Sequence, residues 1–86
     1  MTRIAFRRPA DSEPLLTPEE IVDLLWLSVA ATDGIKHIHA REMSGAIEVI
    51  MFSVTSEQLI SDYIVRRVCE RAVLSIPALK DWFVIR

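Results

Sequence analysis

Eighty-six residues with a formal net charge of −2 and a pI near 5.6 exclude the strongly basic footprint of a nucleic-acid binder. Half of the residues, 51%, are apolar and only two are glycine, so the chain predicts one ordered, core-rich domain over 1–86, near the lower size limit for folding without disulfides or metals. No apolar run reaches the roughly 18 residues that span a bilayer, and no signal-peptide core is visible, so the expectation is a cytoplasmic protein with no membrane partner.

Residues 2–8, TRIAFRR, alternate, with Ile4 and Phe6 on one face and Arg3, Ala5 and Arg7 on the other, which predicts a half-buried strand. Arg3, Arg7 and Arg8 are also the one basic cluster. Their ordinary use is a solvated terminal segment, and the competing one is contact with a phosphate or an acidic partner. Residues 9–15, with two prolines and two acids, predict a loop, so that 1–16 is a partly irregular strand and loop.

The run LTPEE over 16–20 is the clearest local signal. Thr17 suits the cap, Pro18 the first helical position and Glu20 the capping box, while Leu16 and Ile21 are spaced as a hydrophobic staple. The helix is expected to continue to a stop at Gly34. Its interior is polar only at Asp23 and Ser28, which is more apolar surface than one-sided packing uses, so part of it, Trp26 included, is expected to meet another element or subunit.

Residues 35–41, IKHIHAR, predict a strand with Ile35, His37, His39 and Arg41 on one face and Lys36, Ile38 and Ala40 on the other. Two turns into the next strand compete. A three-residue loop pairs Ala40 with Glu48; a two-residue Ser44-Gly45 loop pairs Arg41 with Glu48 and His39 with Ile50, and its cross-strand ion pair makes it preferable. Residues 45–54, GAIEVIMFSV, carry one charge and apolar side chains on both faces, as a central strand does.

A second helix is expected after Val54, capped by Thr55 with Gln58 in a capping box or by Ser56. Ile60, Ile64, Val65, Val68, Cys69, Ala72, Val73 and Ile76 form its apolar stripe, and Asp62, Arg66, Arg67, Glu70 and Arg71 its solvated side. Pro77 ends it, and 82–86, WFVIR, predict a last strand. Strand, helix, strand, strand, helix, strand is an α+β, ferredoxin-like βαββαβ two-layer sandwich, its antiparallel sheet covered by both helices on one face and its first and third strands in the centre.

That topology leaves one sheet face bare, although the central strand and the terminal WFVI are apolar on both faces. Ile50, Phe52, Trp82 and Val84, with Trp26 of the first helix, are therefore the expected interaction surface, covered by a second copy in a homodimer or by another protein. For chemistry the best candidates are His37 and His39, which project the same way from one strand and could share a metal with a third ligand from Glu48, Met51 or another chain. Against this stand the absence of CxxC, HExxH or any further histidine, and the ordinary use of both as polar residues of a half-exposed face. Cys69, the lone cysteine, reads as a small buried hydrophobe. No nucleophile elbow, phosphate cradle or other motif calls for a catalytic residue or a cofactor. Two functions follow: a non-enzymatic protein-interaction or regulatory module that self-associates, or a small dimeric enzyme or ligand-binding or metal-binding protein using His37 and His39.

Overall fold

The computed structural model describes residues 1–8 and 16–85. The expected loop over 9–15 and the last residue of the expected terminal strand lie outside them. In chain order the elements are β1 (Thr2–Arg7), α1 (Pro18–Ser28), a 3-10 turn (Ala31–Asp33), β2 (Ile35–Met43), β3 (Ala46–Ser53), α2 (Gln58–Ser75), a second 3-10 turn (Pro77–Leu79) and β4 (Phe83–Ile85). The strands form one antiparallel sheet in the order β2-β3-β1-β4, with α1 against β2 and α2 against β1. This is the ferredoxin-like sandwich, with β1 and β3 central.

The alternation of β1 explains how so polar a strand holds a central place. Thr2, Ile4 and Phe6 are buried under the helices, while Arg3 and Arg7 face away. Ile47, Val49 and Met51 continue the covered row on β3 and Ile38 does so on β2; Ile21, Leu25, Val65, Val68, Cys69 and Ala72 meet them from the helices.

α1 begins as its sequence dictates. The Thr17 hydroxyl accepts from the Glu20 amide at 3.2 Å, and the Glu20 carboxylate accepts from the Thr17 amide at 2.9 Å, which satisfies two of the donors a helix start leaves open. Its end departs from expectation: the helix stops at Ser28 rather than continuing to Gly34. Val29 is extended, and the Asp33 carboxylate accepts from the Ala30 amide at 2.7 Å, so a local side-chain bond takes the donor that another helical turn would have used. Gly34 then adopts φ 68 and leads into β2, its carbonyl accepting from the Val54 amide at 2.8 Å.

The hairpin takes the two-residue Ser44-Gly45 loop, with Arg41 opposite Glu48, His39 opposite Ile50 and Gly45 at φ 72. At its far end a bulge between Ile35 and His37 inserts one residue and reverses the alternation. Ile35 therefore sits opposite Ser53 and packs against the core instead of sharing the face of His37, His39 and Arg41.

α2 also starts differently from expectation. Glu57 is the cap residue and contributes no side-chain bond, because the Thr55 hydroxyl accepts from the Glu57 amide at 3.2 Å in a local turn. The Gln58 side chain turns away to donate to the Met1 carbonyl at 2.8 Å and to Asp62 Oδ1 at 2.6 Å. Along its stripe Ser61 takes a buried position, while Ile60 is largely exposed. The terminal strand begins one residue later than expected: Trp82 precedes it and is buried in the core, and β4 pairs with β1 over Ala5–Arg7.

Candidate functional site

The register defines the face of the sheet that the helices do not cover. Its rows read His37 and Phe52; His39, Ile50 and Arg3; Arg41, Glu48, Ala5 and Ile85; Met43, Ala46, Arg7 and Phe83. Phe52 is 39% exposed, Met43 44% and Phe83 60%, and Ile50 is half-buried. Among the described residues the face is therefore apolar side chains interleaved with three arginines and two histidines, with Glu48 as the one carboxylate. Arg41 holds that carboxylate at 2.6 Å through Nε. His37 lies against Phe52 with ring centroids 5.9 Å apart and a tilt of 44°.

The five expected surface residues do not form one surface. Ile50 and Phe52 lie on the uncovered face. Trp82 and Val84 lie on the opposite, helix-covered side, because pairing of Val84 with Phe6 fixes the parity of the terminal strand, and Trp82 is only 4% exposed. Trp26 is exposed on α1, as is its neighbour Leu27. In place of Trp82 and Val84 the register puts Phe83 and Ile85 outward. The alternation within WFVI was visible in the sequence, but its sense depends on a partner strand almost eighty residues away.

The basic cluster divides in the same way. Arg3 and Arg7 reach out from the uncovered face, whereas Arg8 is drawn inward. Its guanidinium pairs with Glu42 at 2.7 Å, donates to the Leu16 carbonyl at 3.2 Å and sits 6.0 Å from the centre of the Trp82 ring. Arg8 thus ties the end of β1 to the segment leading into α1, to β2 and to the segment before β4, a structural use of a charge that is bidentate by nature.

His37 and His39 project from adjacent positions of the uncovered face, both exposed. Among the described residues no group of three or more His, Cys, Asp or Glu side chains converges on one point. Among the depressions open to solvent, two border Arg3 and His39 respectively. One, of about 210 Å³, is lined by Thr2, Arg3, Ile4, Asp62, Tyr63 and Arg66; the other, of about 390 Å³, runs between α1 and β2 beside Glu19, Asp23 and His39. Cys69 is fully buried, and burial, with a smaller contribution from the Glu70 carboxylate, pushes its thiol up to about 12. A thiol so held stays protonated and is a poor nucleophile.

Fold and surface together define a small ferredoxin-like domain with one sheet face, of mixed apolar and cationic character, that no described element covers. The chain matches no protein-family model, no curated protein and no solved structure. Among the described residues no helix is long and apolar enough to cross a membrane.

Proposed function

We propose that the protein is a non-enzymatic interaction module that self-associates, with the uncovered face of its sheet as the contact surface. The observation that carries this is the exposure of Phe52, Met43 and Phe83 beside Ile50 on a face that no described element covers. Apolar groups gathered on one face favour association, because covering them removes them from water, and the arginines among them are suited to interfaces through their planar, weakly hydrated heads. Light scattering at micromolar concentration tests this. The parent chain should give at least twice the chain mass, and Phe52→Glu should give the mass of one chain with unchanged far-ultraviolet dichroism. A parent of single-chain mass would contradict it.

A second function, binding of a metal ion, draws on the shared orientation of His37 and His39. A second copy would have to complete the ligand set. Zinc should then raise the melting temperature of the parent and leave His37→Ala/His39→Ala unaffected; an unchanged parent melt in excess zinc would remove it.

A further inference from the structure

We infer that the occupant of the uncovered sheet face is α1 of a second copy, so that the molecules associate head to tail. This rests on the self-association proposed above and adds to it a specific partner surface.

The sheet face is unsuited to meeting its own duplicate. Among the described residues it presents Arg3, Arg7 and Arg41 against one carboxylate, Glu48, which Arg41 already holds at 2.6 Å, so two such faces would bring arginines together. Its complement is on the same chain. At 3.6 residues per turn, Glu19, Glu20, Asp23, Trp26 and Leu27 fall within an arc of about 120° on α1, opposite the fully buried Ile21 and Leu25. All five are exposed, and α1 carries no basic residue. Acids occupy the first turns of this stripe and a large apolar pair the last, with Leu27 77% exposed.

The dimensions agree as well as the charges. Glu19 to Leu27 spans about 12 Å at 1.5 Å per residue of helix. From the row of Phe52 to that of Glu48 the sheet spans about 13 Å at 3.3 Å per residue of strand. Trp26 and Leu27 laid on Phe52 and Ile50 thus carry Asp23 and Glu19 over the rows of Arg3 and Arg41, and leave Glu19 one row, about 7 Å, from Arg7, a distance two long side chains bridge. Because the sheet face and the helix face are different surfaces, each molecule keeps one free after docking, and the assembly is a ring or an open chain rather than a symmetric pair.

A charge exchange tests the arrangement. Arg3→Glu/Arg7→Glu and Glu19→Lys/Asp23→Lys should each run at single-chain mass by light scattering in low salt, and an equimolar mixture should regain the parent's mass, since each variant then meets opposite charge. Recovery on mixing also demonstrates that both variants are folded. If Glu19→Lys/Asp23→Lys alone keeps the parent's mass, or if the mixture stays at single-chain mass while the parent associates, α1 is not the occupant, although the sheet face keeps its role. A parent of single-chain mass would remove both proposals.

Discussion

The hydroxyl of Thr2 lies 2.8 Å from that of Ser61, 59 residues further on, and both side chains are almost fully buried. Thr2 donates to Asp62 Oδ1 at 2.7 Å and Ser53 donates to Ser61 at 3.1 Å, so Ser61 is left to donate to Thr2, and the three hydroxyls form one directed chain that fastens β1 and β3 to α2. Removing Ser61 takes one bond from Thr2, which keeps Asp62 and Gln58, and leaves the part-buried Ser53 hydroxyl without its acceptor. Ser61→Ala should cost about 1 kcal/mol in urea denaturation, the net worth of the lost hydrogen bonds, despite deleting a single oxygen.

The reciprocal cap at Thr17 gives a second expectation. Thr17→Ala leaves the Glu20 amide without its acceptor and should lower stability by about 1 kcal/mol, measured by the same denaturation. An unchanged midpoint would mean that the cap does not hold the helix start.

Gly34 and Gly45 have similar backbone angles but different surroundings. A side-chain carbon at Gly34 would meet Val54 Cγ2 at 2.8 Å, whereas one at Gly45 would meet nothing within 4 Å. Both alanine variants should lose about 1–2 kcal/mol from the left-handed conformation. Gly34→Ala should lose more, and adding Val54→Ala should recover the excess, because Val54 is itself 71% exposed and costs little to shorten.

Cys69 links packing to pH. Its folded-state value of about 12 lies above the ordinary thiol value of 9.0, so the folded protein keeps a proton that the unfolded chain gives up between the two. The stabilisation is complete below pH 9 and is lost as pH rises toward 12, with a slope of up to about 1.4 kcal/mol per pH unit. Denaturation across this range should show the fall in the parent and a flatter profile in Cys69→Ala. A thiol reagent at neutral pH should react at the rate of unfolding; rapid labelling of the native protein would contradict the burial.

Much of the fold was legible because its signals are local. Thr17, Pro18 and Glu20 mark a helix start by themselves, and Arg41 opposite Glu48 selects the hairpin register. What escaped the sequence depends on competition between neighbours or on distant pairing. Asp33 ends α1 before Gly34 can, Thr55 spends its hydroxyl on Glu57, and the bulge beside Lys36 turns Ile35 inward. The candidate surface was half legible for the same reason: Ile50 and Phe52 follow from the hairpin, whereas Phe83 replaces Trp82 only once β4 lies against β1.

The central claim, that the uncovered sheet face is where the molecule binds its own kind, is tested most directly by side-chain methyl spectra recorded across a dilution series. Resonances of Ile50, Met43 and Ala46 should shift or broaden with concentration, while those of Ile47 and Val49, on the covered side of the same strand, should stay fixed. Spectra that are constant over the whole series, or that change only at residues away from this face, would contradict the account.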